Sequence, residues 1–253
     1  MKIAVPVKFV PDLVEELTID AGGAALDTSW LRLIINEFDD HAIEQAILLK
    51  ERETGQVLVL TIEAEGVDDF LFTAAAKGAD QLIKLTGDFN GVNNHALARA
   101  YAGLLKELQP DLVLTGVQAH NDLDGSVGPL LAETLGMPFV GYVSGVTTTN
   151  GKVIARKEYP GGLVAEIEVT LPAVLGIQAA EQPPRYVAYS KIRQMMGTAK
   201  IEERAVSSLD PSGGVAVSRM FQPETTERAT MIEGEANEVA DKIVGVFKEL
   251  GAL

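Results

Sequence analysis

Short apolar runs alternate with amphipathic segments over the first 140 residues, and this alternation constrains the fold more than any other feature of the chain. Each run is apolar on both faces, which is typical of buried parallel strands. The predicted strands are Ile3–Val7, Val57–Ile62, Leu82–Leu85 and Leu112–Thr115. The predicted helices are Asp39–Arg52, Val67–Lys77, Asn93–Leu108 and Gly125–Leu135. The sequence therefore predicts an α/β fold with a doubly wound, mostly parallel, Rossmann-like sheet.

After residue 138 the pattern changes to that of antiparallel strands. Asn150-Gly151 separates the runs Val140–Thr149 and Lys152–Glu158, and both central positions of a type I′ turn need positive φ. After the Pro160-Gly161-Gly162 break, Leu163–Thr170 alternates apolar and polar residues, as a strand with one solvated face does. We expect a β-hairpin addition at 140–170, and a return to the main sheet over 171–177, within a domain of residues 1–181.

The last third of the chain lacks the pattern of a folded core. From Gln182 to about Ser218 there is little periodicity, and such a segment cannot close a core by itself. We predict an extended partner-recognition arm at 182–220 that lies against a partner or in solvent. In the remaining segment, 221–253, the amphipathic stretch Glu235–Leu250 predicts a C-terminal docking helix.

Composition and charge exclude several classes of protein. The chain has no cysteine, which excludes disulfides and thiolate metal sites, and its three histidines are not at metal-ligand spacing. A net charge of −15 repels nucleic acid and anionic lipid. No apolar run reaches the roughly 18 residues of a membrane helix, and the N-terminus lacks the features of a signal peptide. We expect no metal, no nucleic acid, no membrane insertion and a cytoplasmic location.

The polar, glycine-rich stretch GVQAHNDLDGSVGP at 116–129 follows a predicted strand and leads into a helix. Ligands of open parallel sheets collect at this kind of place, and the free N–H groups of a helix start suit a phosphate. Gly125 allows close approach, Ser126 offers a hydroxyl and Pro129 preorganises the turn. A capped connection with Asp124 or Ser126 as N-cap explains the stretch equally well. Likewise, residues 36–39 either cap the next helix or face a ligand.

The same stretch argues against catalysis. It matches neither the dinucleotide fingerprint nor the Walker loop, and no lysine lies near it in the sequence. Phosphoryl transfer is therefore not expected. We assign no catalytic acid or base and expect binding without turnover, so the chain is not predicted to be an enzyme.

Seven segments, in order along the chain, resemble the β subunit (small subunit) of electron transfer flavoproteins. They are KIAVPVKFVPD, NEFDDHAIEQAILLKE, KGAD, LVLTGVQAHNDLDGSVGP, EYPGG, LPAVLGIQ with PPRY, and RATMIEG. The resemblance implies a heterodimer with an α subunit, in which FAD is shared between the subunits. It also implies transfer of electrons from a dehydrogenase to a quinone reductase or another acceptor. The β subunit of the family holds an AMP, and in electron-bifurcating members a second FAD takes its place.

By aligned position, the resemblance also assigns site residues. The nucleotide pocket would involve Pro6, Asn36, Glu37, Phe38, Asp39, Ile62, Gly116, Val117, Gln118, Asp124, Gly125, Ser126, Val127 and Gly128. Glu158 would contact the flavin domain.

Residues 182–200 resemble the loop by which the family docks on a flavin-dependent dehydrogenase. Tyr189 stands where the family has its apolar anchor, and Arg185, Tyr186 and Ile192 accompany it. Two other hypotheses stay open from the residues alone: a stand-alone adenine-nucleotide-binding sensor, and a nucleotide-hydrolysing enzyme. The long arm argues against the first, and the missing phosphate-loop lysine against the second.

Overall fold

A computed structural model describes residues 1–89, 91–149, 151–224 and 229–253. Among these residues, nine strands form one sheet in the order β11-β5-β4-β1-β6-β10-β7-β8-β9, and β2 and β3 form a small separate ribbon. The elements in chain order are β1 (Lys2–Pro6), β2 (Phe9–Pro11), β3 (Leu33–Ile35), α1 (Glu37–Arg52), β4 (Gln56–Ile62), α2 (Val67–Lys77), β5 (Gln81–Thr86), α3 (Asn94–Leu108), β6 (Leu112–Gly116), α4 (Val127–Leu135), β7 (Phe139–Thr149), β8 (Lys152–Tyr159), β9 (Leu163–Val169), β10 (Ala173–Ile177), α5 (Tyr189–Thr198), β11 (Ile201–Ala205) and α6 (Ala236–Glu249).

The parallel part of the sheet is covered by helices on both faces. Ile3 and Val5 of β1 point into one core, which α1 and α2 close. Ala4, between them, points into a second core, which α3 and α4 close. Both faces of each central strand are therefore buried, which explains their unbroken apolar runs. The predicted doubly wound, mostly parallel α/β fold is confirmed.

The antiparallel addition is also present. β7 joins the sheet in parallel beside β10, and β8 and β9 then follow as antiparallel neighbours. Gly151 has φ +76°, as its place in a tight turn requires. The type I′ assignment stays a prediction, because Asn150 lies outside the described residues. Arg228, the first residue of the RATMIEG motif, also lies outside the described residues.

The arm after residue 182 contains more regular structure than predicted. Helix α5 packs on α2, and β11 pairs in parallel with β5 and forms the edge of the sheet. The side chains of Gln81 and Glu202 hydrogen-bond at 2.7 Å across this pair. β11 (IEERA) was not predicted from the sequence. An edge strand that is stabilised by backbone hydrogen bonds needs few apolar side chains, so it leaves no apolar pattern. How the chain divides into domains stays a prediction.

The C-terminal amphipathic helix forms where it was predicted, as α6. None of its residues is buried, and its apolar residues Ile243, Val246 and Phe247 are exposed. The expectation that this helix docks is therefore not met within the single chain. An amphipathic pattern predicts a helix with one apolar face, but it does not say which molecule covers that face.

Candidate functional site

The carboxyl ends of β1 and β6 meet at one edge of the sheet, where α1 and α4 begin. Because these two strands are parallel neighbours, residues far apart in sequence converge there. The small cavity at this edge is lined by Pro6, Val7, Lys8, Asp39, Tyr101, Thr115, Gly116, Gln118, Ala119, Asp122 and Val127. Five of these, Pro6, Asp39, Gly116, Gln118 and Val127, belong to the predicted nucleotide pocket. Ala119 and Asp122 belong to the same glycine-rich stretch, 116–129.

Asp39 joins the three elements that build this edge. One carboxylate oxygen accepts the backbone N–H of Lys8 at 2.8 Å, and the other accepts the N–H of Gly116 at 2.6 Å. Asp39 is only 4% exposed. A Cβ atom at Gly116 would lie 2.5 Å from the Asp39 carboxylate, so only glycine fits there. The carboxylate thus fixes the first turn of α1 to the ends of β1 and β6.

Burial raises the pKa of Asp39 to about 7, although the N–H groups of Lys8 and Gly116 act in the opposite direction. The pKa of an aspartate in the unfolded chain is 3.8. Between these two pH values the native chain binds more protons at this position than the unfolded chain does. The pH-dependent part of the contribution of Asp39 to stability is therefore present below about pH 4 and is lost as the pH rises through about 7.

We expect the unfolding free energy to fall as the pH rises from about 4 to about 7, and Asp39→Asn to remove this component. Urea denaturation of the wild type and the variant at several pH values measures it, because the other carboxylates contribute equally to both proteins. Parallel pH profiles for the two proteins would contradict the assignment.

The start of α1 does not use the expected cap. Asn36 occupies the N-cap position, but its side chain makes no capping bond. Its amide instead donates to the backbone oxygen of Gln118 at 2.9 Å and joins α1 to the loop after β6. Glu37 is exposed, and Phe38 turns towards a second cleft. The cap explanation for Asn36 is therefore wrong.

Two polar atoms near the start of α4 lack hydrogen-bond partners in the described part of the chain. Ser126 is the N-cap residue of α4, yet its side chain makes no capping bond, and Gly125 has φ +98°. Among the described residues, the Thr115 hydroxyl and one oxygen of Asp124 are buried without a hydrogen-bond partner. Since buried polar atoms are normally paired, and helix starts carry free N–H groups, this corner has unused capacity for a polar ligand.

Lys8 is a site residue that the sequence analysis missed. Its ammonium donates to Asp122 at 2.8 Å and to Asn94 at 2.9 Å. Asn94 also donates to Asp122 and to the Gly125 carbonyl, each at 2.7 Å. The absence of a lysine near the loop in sequence was therefore misleading, because β1 brings one to it in space. The signal was available: Lys8 lies just beyond the carboxyl end of a predicted strand.

The Lys8 ammonium and the start of α4 could suit a phosphate, but the cavity is small. Its volume is about 20 Å³, which is room for about one water molecule. Ligand pockets for small molecules have roughly 300–1,000 Å³. Asp122 and Asn94 hold the loop down, and the Asn93 amide donates to the Pro211 carbonyl at 2.8 Å at the outer side. An adenine nucleotide does not fit this conformation.

Two larger clefts lie next to this corner. Ile62 lines one of about 1030 Å³ together with Phe9, Trp30 and Phe89, so the structure does not bring Ile62 into the small cavity. Phe38 and Glu158 line another, of about 690 Å³. Glu158 accepts a hydrogen bond from Ser144 at 3.2 Å and pairs with Arg156 at 3.2 Å.

The predicted recognition residues lie at the start of α5 and just before it. Tyr186 is 90% exposed and Tyr189 66% exposed, whereas Ile192 is half-buried. Arg185 is bound within the chain, to Glu44 and Glu51. The two tyrosines therefore offer a surface to a partner, and the guanidinium does not.

Two features are missing from the parts of the chain that the structure describes. No helix there is both long enough and apolar enough to cross a membrane. No group of three or more His, Cys, Asp or Glu side chains is arranged there to hold a metal ion.

Comparison with known proteins gives one consistent result. Residues 25–209 match the electron transfer flavoprotein domain. The chain is 34% identical to the electron transfer flavoprotein subunit beta of Methylophilus methylotrophus, over 98% of both chains. It is 30% identical to the subunit of the same name from Syntrophomonas wolfei, over 98% of this chain and 96% of the relative. It is 31% identical to the caffeyl-CoA reductase-Etf complex subunit CarD of Acetobacterium woodii, over 98% of both. The chain belongs to the electron transfer flavoprotein family, among its β subunits.

Proposed function

We propose that this chain pairs with an α subunit, helps to hold the FAD of that subunit, and passes electrons from a flavin-dependent dehydrogenase to a quinone reductase or another acceptor in the cytoplasm. It makes no bond of its own in this role. The observation that supports the proposal is membership of this family, in a chain whose sheet edge brings the Lys8 ammonium close to the loop before α4. A subunit that only holds a cofactor needs hydrogen-bond donors and a surface of complementary shape, and it needs no catalytic acid or base.

AMP is the first candidate for the small corner. The free N–H groups at the start of α4, Ser126 and the Lys8 ammonium would hold its phosphate. Because the cavity has only about 20 Å³, the loop of residues 119–125 must move outward before a nucleotide enters. Asp122 would then exchange its pairing with Lys8 for solvent, while the ammonium turns to the phosphate.

A second FAD is the alternative ligand, and one observation favours it. The cleft of about 1030 Å³ that contains Ile62 and Trp30 lies at the same edge of the sheet and offers aromatic side chains. An isoalloxazine ring needs this kind of apolar, aromatic surface. The remaining members of the predicted nucleotide set, Asn36 to Phe38, Val117, Asp124 and Gly128, would surround either ligand.

The flavin-domain contact is proposed at the cleft of Phe38 and Glu158. Arg52, Arg156 and Glu158 put charges of both signs around it. Glu158 is itself exposed, as is its partner Arg156, so a cation of the α subunit would have access to its carboxylate. Tyr186 and Tyr189 would contact the dehydrogenase, with Ile192 supporting them from the inner side of α5.

Co-expression with the candidate α subunit tests the proposal. We expect a yellow heterodimer that releases one FAD and one AMP when it is denatured and analysed by mass spectrometry. Two FAD molecules would favour the alternative ligand. A colourless chain that binds an adenine nucleotide without an α subunit would be a stand-alone sensor, and ATP turnover by the purified chain would indicate a hydrolase; either result would refute the proposal.

Lys8→Met is expected to release AMP from the heterodimer while FAD stays bound, because it removes the ammonium from the corner but leaves the FAD contact unchanged. The matched control is Lys106→Met, at an exposed position on α3. Equal AMP content in both variants would show that Lys8 does not hold the phosphate. The measurement is the ratio of AMP to FAD released per heterodimer.

A further inference from the structure

Residues 180 and 181, just before the arm, are fastened to the flank of α1. The backbone N–H of Ala180 donates to His41 at 3.2 Å, and that of Glu181 donates to the side-chain oxygen of Gln45 at 3.1 Å. The Gln45 amide in turn donates to Glu181 at 3.1 Å, and Arg52 pairs with Glu181 at 2.7 Å. The chain therefore leaves the core along a defined line on one helix.

Arg185 completes this line four residues later. All three guanidinium nitrogens donate to a carboxylate of α1: Nε to Glu44 at 3.0 Å, Nη2 to Glu44 at 2.8 Å and Nη1 to Glu51 at 2.5 Å. The backbone N–H of Arg185 also donates to Glu44, at 2.9 Å. Because the guanidinium is planar and is bound along two of its edges, both its position and its orientation are fixed.

The partner carboxylate is buried, which makes the contact specific. The side chain of Glu44 is 3% exposed, and a buried carboxylate requires a paired cation to stay charged. Exposed ion pairs are weak because water competes for both partners, but Glu44 has little access to water. Glu44 therefore holds Arg185, and with it the start of the arm, in place.

The other end of α5 is held by the sheet. β11 begins three residues after α5 ends and pairs with β5, and Lys84 binds Glu203 of β11 at 3.1 Å. Between the two ends, α5 packs on α2 with Ile192 and Met195 half-buried. The exposed Tyr186 and Tyr189 stand between Arg185 and the body of α5, so the orientation of both rings depends on the position of Arg185.

We propose that Arg185 is a positioning residue, which fixes the start of α5 against Glu44 and Glu51 so that the two tyrosines face the partner dehydrogenase. The resemblance to the family places Arg185 among the residues that contact the dehydrogenase. Because its three guanidinium nitrogens are already bound within the chain, we assign Arg185 instead to the support of the two tyrosines. This role rests on the proposed function. An arm that is already ordered costs less entropy when the partner binds.

Hydrogen exchange in the intact heterodimer tests the role independently of the dehydrogenase. In Arg185→Met we expect amides of residues 189–198 to exchange at least about tenfold faster, with no change in α3 or the central strands. The control is Arg193→Met, which removes an exposed arginine from α5 itself and should change nothing. If Arg185→Met does not fold, Glu44→Met/Arg185→Met removes both charges together, and the same local acceleration is expected.

Steady-state reduction by the dehydrogenase that reduces the wild-type heterodimer provides the second measurement. We expect the KM for the Arg185→Met heterodimer to rise about tenfold while kcat stays within about twofold, since the arm affects encounter and not the flavin. Unchanged exchange in α5 would overturn the proposal, whether or not KM rises, and so would faster exchange throughout the chain. If no dehydrogenase reduces the wild type, the proposed function fails, while the exchange experiment still decides whether Arg185 holds the arm.

Discussion

Asp39→Ala is expected to lower the unfolding free energy by about 2–6 kcal/mol, because it leaves two backbone donors, the N–H groups of Lys8 and Gly116, without an acceptor. A domain has a total stability of about 5–15 kcal/mol, so the loss is a large fraction of the whole. Relief of the buried carboxyl offsets part of it. Urea denaturation at neutral pH measures the difference.

Two variants separate this effect from a general effect of removing an acid. Asp39→Asn keeps one acceptor oxygen, so its loss should be smaller than that of alanine. Asp69→Ala removes an exposed acid from the first turn of α2, where a carboxylate is stabilised by the helix dipole, and should cost about 0.3–1 kcal/mol. If Asp39→Ala costs no more than Asp69→Ala, the carboxylate does not organise the edge of the sheet.

Gly116→Ala is expected to cost about 1–3 kcal/mol or more, because the added methyl group has no free space. The new Cβ would lie 2.5 Å from the Asp39 carboxylate, 2.8 Å from the Asp39 nitrogen and 2.8 Å from Cβ of Phe38. The Asp39 nitrogen and Cβ of Phe38 belong to the first turn of α1, which is rigid, so α1 or β6 must shift. We also expect the heterodimer of this variant to release less AMP, since the shift disturbs the loop that begins at Gly116.

The matched control is Gly103→Ala, in the middle of α3. Apart from its chain neighbours and the backbone of its own helix, no heavy atom of the described residues lies within 4 Å of a Cβ built at this position. Alanine favours a helix over glycine by roughly 0.5–1 kcal/mol, so this variant should be slightly more stable than the wild type. Thermal and urea denaturation of both variants give the comparison, and a neutral Gly116→Ala would refute the steric argument.

The parts of the fold that were predictable are those with a local signal. The bounds of α2, Val67–Lys77, coincide with the prediction. An apolar stripe indicates the helix, and Gly78 marks its end. β11 had no such signal. Its residue Ile201 pairs with Leu82, and the stabilisation of this strand comes from backbone bonds to a segment far away in sequence.

The candidate site, like the fold, was predictable only in part. The rule for parallel sheets places Asp39, Gly116 and Ser126 at one edge from the order of strands and helices alone. The sequence did not reveal that Asp39 is buried and accepts two backbone N–H groups. It also did not reveal that Lys8 reaches the loop or that Glu44 binds Arg185, since both contacts depend on how separate elements pack.

The late position of β11 has a consequence for synthesis. A nascent chain that has delivered residues 1–200 from the ribosome can form β5 but not the strand that covers its outer side. During that interval β5 presents unpaired N–H and C=O groups to other polypeptides, which is the usual starting point of aggregation. We therefore expect truncation before residue 201 to yield insoluble protein, and slow translation of the last fifty residues to increase the demand for chaperones.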